Sequence, residues 1–140
     1  MVVNGNDVTM YGLMVEHFQE YQTLWNGNGG RTYFYQSEIP YDVPNQASWM
    51  SHEGKVNGYS SFKVADKVTS FEGWGLGIYS FFNQGVDILL NSAMEVPNSP
   101  NVKVNHILDL KLAGNPGITH VINNTGDPAY EGNARHLVLQ

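Results

Sequence analysis

The sequence predicts an all-β unit. Short runs rich in Tyr, Phe, Val and Ile recur along the chain, with turn signals roughly every 8 to 12 residues. Gly at 15 residues and aromatics at 12% fit short strands joined by tight turns. No stretch has the length and capped ends of an ordinary helix. This pattern leaves a sandwich, a barrel or one side of a parallel β-helix as candidate architectures. Asn-rich corners at Asn83, Asn91, Asn123 and Asn124 suit a coil of stacked turns. Asn tolerates left-handed backbone, and its amide can bond along a ladder.

Taken in order, Val8–Phe18 is expected as strand, divided near Gly12. A helix through EHFQEYQTLW competes, because Phe18, Tyr21, Gln22 and Trp25 have roughly helical spacing. Trp25–Arg31, WNGNGGR, is a tight turn between Tyr21–Trp25 and Arg31–Gln36, joining either a hairpin or two successive edges of a coil. A strand from Tyr33 stops at Ile39-Pro40, where proline lacks a ladder donor and pushes its predecessor out of helical geometry. Ser51–Gly58 reads as loop, then Tyr59–Val64 and Val68–Phe71 as short strands. GWGLG at Gly73–Gly77 reads as a bend before the apolar Ile78–Phe82. Val86–Leu90, Val102–Leu112, Ile118–Asn123 and His136–Leu139 complete the expected strands, with turns at Asn83–Gly85, Met94–Pro100, Ala113–Gly117 and Gly126–Asn133.

Composition bounds the function. Residues 1–140 have room for one modest domain with a real core. A formal charge of -6, scattered along the chain, argues against a nucleic-acid backbone partner, which calls for a basic stripe. The absence of cysteine removes disulfide and thiolate chemistry. No apolar run approaches the roughly 20 residues that span a bilayer, and the N-terminus does not read as a signal peptide. Charged residues make up 14%, below the roughly 25% of an average soluble domain. Asn, Ser, Gln and Thr carry the polarity instead, as in many secreted carbohydrate-active folds.

The stretch Tyr33–Met50, YFYQSEIPYDVPNQASWM, concentrates the chemistry. Glu38 sits at the strand break, surrounded by Gln36, Tyr41, Asp42, Asn45, Gln46 and Trp49. Such a set is costly to bury without partners and suited to a neutral polyhydroxylated ligand. Glycoside hydrolysis needs one protonated carboxyl for the leaving oxygen and a second group to activate water or attack carbon. Glu16, Glu38 and Asp42 lie beside aromatics and amides, with Glu72 and Glu95 as further acids. Glu16 and Glu38 can work as a pair only if adjacent strands bring them together. The indole of Trp49, among polar neighbours, is expected near ligand, and that of Trp74 in the core.

Metal and nucleophile chemistry are disfavoured. No two of His17, His52, His106, His120 and His136 have the spacing that places ligands on one helical face, and there is no G-x-S-x-G elbow. GWGLG and WNGNGG lack the form of nucleotide or phosphate loops and read as turns. No metal and no cofactor is expected.

The segments WNGNGGRTYFYQSEIPYDVPNQASW, YSSFKVADKVTSFEGWGLGIYSFF and ITHVINNTG resemble the C-terminal portion of proteins related to glycoside hydrolase family 55. The resemblance implies a right-handed parallel β-helix, with residues 1–140 as its last rungs plus additional strands. It also implies an extracellular, inverting exo-β-1,3-glucanase of two β-helix domains, of which this chain is a fragment. Within YQSEIPYD, Glu38 falls at the general acid of that family. Glu16, in VEHFQEYQ, falls at the carboxylate that helps hold the water, and Tyr41 lines the same pocket. Gln36, Asp42, Asn45 and Trp49 are expected near the sugar. The expected partners are β-glucan and the N-terminal β-helix half or another chain. A noncatalytic carbohydrate-binding module and a structural coil fragment are the alternatives.

Overall fold

The computed structural model of the protein describes residues 1–137. Twelve strands follow one another along the chain: β1 (Val2–Val3), β2 (Thr9–Met14), β3 (Thr23–Trp25), β4 (Gly30–Glu38), β5 (Met50–Ser51), β6 (Val56–Asn57), β7 (Phe62–Val64), β8 (Ser70–Phe81), β9 (Asp87–Glu95), β10 (Asn101–Ala113), β11 (Asn115–Ile122) and β12 (Ala134–Leu137). They form two long sheets, ordered β1-β3-β7-β9-β11 and β12-β10-β8-β4-β2, and a small antiparallel hairpin of β5 and β6. Every pair in the two long sheets is parallel except β10 with β12. Strands alternate between the sheets along the chain, so each rung stacks on the one before it. The fold is a parallel β-helix, the coil among the architectures expected, and β12 is one of its added strands.

Stacking aligns inward side chains in columns. Tyr35, Leu76 and Ile107 share one register level, and Ser37, Ile78 and Asp109 the next but one. All six are buried. Trp25, Phe62, Phe71 and Tyr35 fill the core between the sheets, with Trp25 stacked on Phe62 at 6.0 Å and Tyr35 edge-on to Phe62 at 5.0 Å. Burying an aliphatic chain such as Ile78 stabilises by about 1.5–3 kcal/mol, and the columns repeat that gain rung by rung.

The corners explain themselves by the same stacking. Asn4-Gly5-Asn6 and Asn26-Gly27-Asn28 each follow a β1–β3 register partner, Val3 and Trp25. Asn26 donates to Asn4 Oδ1 at 2.9 Å, and the backbone N–H of Asn28 donates to Asn6 Oδ1 at 2.9 Å. The WNGNGGR turn therefore joins two edges of a coil, since β3 and β4 lie in different sheets. Asn91, expected at a corner, lies within β9 and donates to Asn124 at the turn after β11.

Several boundaries differ from expectation. The first long strand ends at Met14, and residues 15–22 form neither strand nor helix. His17 adopts φ 62, which breaks both patterns, and Gln22 bonds back to the Phe18 N–H and C=O at 2.9 and 2.6 Å in place of a ladder. Val68–Phe71, GWGLG and Ile78–Phe82 are mostly one strand, β8, with a left-handed kink at Gly75 instead of a break. The Ser51–Gly58 loop carries the β5–β6 hairpin. Of the expected final strand, 136 and 137 belong to β12 and the remainder lies outside the described residues.

Candidate active site

Glu38 is the last residue of β4, and the chain leaves the sheet through Ile39-Pro40 immediately after it. Both neighbours are buried, which fixes the stem while the carboxylate faces outward with 21% of the side chain exposed. Two groups meet on one of its oxygens. The Tyr41 hydroxyl donates to Glu38 Oε2, and His17 Nε2 lies 3.3 Å from the same atom. No described residue hydrogen-bonds Oε1, so one oxygen is anchored and the other is available.

The remaining wall is aromatic and amide. The His17 ring packs against Tyr41 at 4.4 Å, and Tyr41 packs against Phe81 at 4.8 Å. Gln19 donates to Asp42 Oδ1 at 3.3 Å. His17, Gln19, Tyr41 and Asp42 line a shallow cavity of about 270 Å³ beside Glu38.

Glu16 lies close by through register. Met14 pairs with Gln36, and the ladder runs on through Val15 N–H to Gln36 C=O and His17 N–H to Glu38 C=O. Glu16 is thereby level with Glu38 on the neighbouring rung, about 4.8 Å away in backbone. It is exposed. The two acids are thus level in backbone register, Glu16 just past the end of β2 and Glu38 at the end of β4.

The other sequence candidates divide. Gln36 is on the outward face of β4, two residues before Glu38, and Asp42 is at the cavity. Asn45 caps the 3-10 turn 46–48, accepting from the Ser48 N–H at 2.9 Å. Trp49 is 2% exposed, donates Nε1–H to the Gln19 carbonyl at 2.7 Å and packs against Phe82. Its indole supports the loop that carries Gln19 rather than offering a face. Trp74 reverses its expectation, standing 42% exposed on the outside of β8, because strand alternation turns it away from the core where Gly73 turns in. His17 and Gln19 were missed; the pairing of Glu16 with His17 at a strand end was the available signal.

Other titratable groups lie elsewhere. Burial disfavours the charge of Glu95, but hydrogen bonds from Lys63 and Ser60 and the charges of Lys63 and His52 outweigh it and hold the carboxyl below its usual range. Among the described residues, no group of three or more His, Cys, Asp or Glu side chains is arranged to hold a metal.

The family description LAM55 pectate lyase-like domain matches residues 1–38. A curated exo-β-1,3-glucanase from Streptomyces sp. (strain SirexAA-E / ActE) is 44% identical over 126 residues, covering 90% of this chain and 20% of the relative. Two structures of sacteLam55A from Streptomyces sp. SirexAA-E superpose with a TM-score of 0.91. One is 39% identical, and the other, a variant in complex with glucose, 38%; each covers 98% of this chain and 25% of that one. The present chain spans about a fifth of the curated relative's length. It matches these glucanases, as its sequence segments suggested, and its rungs have their right-handed parallel β-helix fold of pectate-lyase type.

Proposed function

We propose that this chain supplies the catalytic-acid wall of a site that hydrolyses β-1,3-glucan with inversion. The observation that carries the reading is the Glu38 carboxyl, anchored at Oε2 by Tyr41 and His17 with no described residue hydrogen-bonded to Oε1. Glu38 protonates the glycosidic oxygen through Oε1 as the bond to the anomeric carbon breaks. The Tyr41 hydroxyl and His17 then stabilise the carboxylate left behind. Glu16, on the adjacent rung, helps hold the water that attacks from the opposite face of the sugar. Inversion needs the two functional groups roughly 6.5–9.5 Å apart, and outward splay of two side chains on neighbouring rungs is compatible with that gap.

Gln36, Asp42 and the amide of Gln19 are suited to sugar hydroxyls. The glucanase similarity supports β-glucan as the substrate, and the glucose-bound relative supports a glucosyl unit in the site. A polymer that cannot cross a membrane places the activity outside the cell. Because the chain corresponds to a fifth of its relative, the opposite wall of the cleft comes from a further β-helix segment or another chain. The binding-only alternative draws on Trp49, Tyr41 and Asn45, and the burial of Trp49 takes away its aromatic platform.

Laminarin hydrolysis by a longer protein that joins this chain to the further β-helix segment, with native Glu38 and with Glu38→Gln, tests the reading. Lost turnover with retained laminarin binding supports it, and equal turnover in the two proteins overturns it.

A further inference from the structure

One position in each rung of the β12-β10-β8-β4-β2 sheet adopts left-handed backbone: Gly12, Phe34, Gly75 and His106, with φ of 63, 63, 66 and 56. The flanking registers, Tyr11 with Tyr33 and with Trp74 in turn, and Leu13 with Tyr35 and Leu76, set these four residues side by side. Glycine takes this conformation freely, whereas a bulky aromatic pays in strain. Phe34 nevertheless occupies it and stands 66% exposed. Its neighbours across the sheet are bare, since a Cβ on Gly12 or Gly75 would meet nothing within 4 Å.

The side chain overlooks a trough of about 280 Å³ whose floor is Gly75 and Gly77 and whose rim carries Gln36, Tyr79 and His106. The Tyr79 phenol lies along Gly77, within 3.0 Å of where a Cβ would be. No described residue hydrogen-bonds the Gln36 amide, the Tyr79 hydroxyl or the His106 ring. An apolar floor with an aromatic face and a few unspent polar groups at its edge is the composition of a small-ligand site, and strain held at one residue marks such places. Phe34 lies four residues, roughly 13 Å, from Glu38 along β4, and Tyr79 at the other end of the trough is the register partner of Glu38.

We infer that Phe34 and this trough form an auxiliary subsite for a pyranose ring of β-1,3-glucan, beyond the ring whose bond is cleaved. The inference rests on the glucanase reading above. Phe34 stacks on the apolar face of the sugar, and Gln36, Tyr79 and His106 bond its hydroxyls. The trough, about 280 Å³, has the volume for a single ring. The subsite therefore makes affinity grow with the length of the bound oligosaccharide.

Calorimetric titration of the native protein, Phe34→Gly and Glu38→Gln with short and long β-1,3-gluco-oligosaccharides tests this. Glycine suits φ 63 and little buried surface is lost, so Phe34→Gly folds. The expected result is affinity that rises with chain length in the native protein and in Glu38→Gln, and a loss of about tenfold for the long oligosaccharides in Phe34→Gly. An undiminished rise in Phe34→Gly overturns the subsite, as does a native protein that binds no oligosaccharide. Self-association that disappears in Phe34→Gly with sugar affinity unchanged makes the trough a protein contact and overturns it equally. If Glu38→Gln still hydrolyses laminarin while Phe34→Gly loses the length dependence, the acid assignment fails and the subsite stands.

Discussion

Tyr41 reaches back across Ile39-Pro40 to donate its hydroxyl to Glu38, three residues earlier. Proline fixes the sharp exit from β4, so a local turn, not a distant element, sets the orientation of the carboxylate. The phenol ring is held in turn by Phe81 and His17.

Removing only that hydroxyl isolates its contribution. Tyr41→Phe keeps both ring contacts, so the thermal midpoint stays close to that of the native protein. Laminarin turnover falls about tenfold, corresponding to roughly 1.4 kcal/mol, with a smaller change in KM. Steady-state kinetics beside a melting curve check both halves of the expectation.

Asp109 makes stability fall as pH rises. It lies inward at the level of Ile78, fully buried, with neither carboxylate oxygen hydrogen-bonded among the described residues. Burial pushes its carboxyl from 3.8 to about 7; its own backbone N–H and the charge of Arg135 oppose this only in part. The folded state therefore keeps a proton that the unfolded state releases. Its stabilising effect is complete below about pH 4 and is lost up to about pH 7, a fall on the order of 4 kcal/mol. Urea unfolding at the two ends of that range shows the decline in the native protein and its absence in Asp109→Asn.

Glu95 has the opposite sign. Its carboxyl is held below the ordinary value of 4.5 and accepts from Lys63 at 2.7 Å, Ser60 at 2.8 Å and His52 at 3.0 Å. The stability it contributes is present above the ordinary carboxyl range and is lost as pH falls through its lower folded value. His52 belongs to the β5–β6 hairpin, so acid releases that hairpin first. The protection of the Val56 and Asn57 amides, measured relative to intrinsic exchange at each pH, falls in acid for the native protein. Glu95→Gln removes that dependence and costs about 1–3 kcal/mol at neutral pH.

The stacked corners are intolerant of bulk. A Cβ on Gly27 would come within 1.8 Å of the Gly5 carbonyl oxygen, a contact between two backbones that neither can relieve. Gly27→Ala is expected to cost about 3 kcal/mol or more and to loosen the first rungs. Gly54, in an open turn with φ 79 and nothing within 4 Å, gives the contrast. Gly54→Ala costs only about 1–2 kcal/mol for its left-handed backbone. Chemical denaturation of the two variants separates crowding from strain.

By itself the sequence determined the all-β class, the strand that ends at Ile39-Pro40 and the turn at WNGNGG. These are local properties: proline geometry, glycine freedom and sheet-favouring side chains act within a few residues. One tertiary signal was present and passed over. The triplet Asn-Gly-Asn occurs at 4–6 and again at 26–28, each after a β-branched or aromatic strand residue, and the two copies stack. That repeat is what favours a coil over a sandwich.

Tertiary structure alone decided the rest, because inward and outward facing depend on which rung lies beneath. Trp49 and Trp74 exchanged their expected places: a loop folded over one, and strand alternation turned the other to solvent. The placement of Glu16 level with Glu38 spans 22 residues of chain and exists only because the backbone ladder continues past the end of β2, and the row Gly12, Phe34, Gly75, His106 exists only once four rungs are stacked. Residues this far apart in sequence become neighbours through backbone hydrogen bonds that any side chain can make, so composition carries no mark of which pairs will meet.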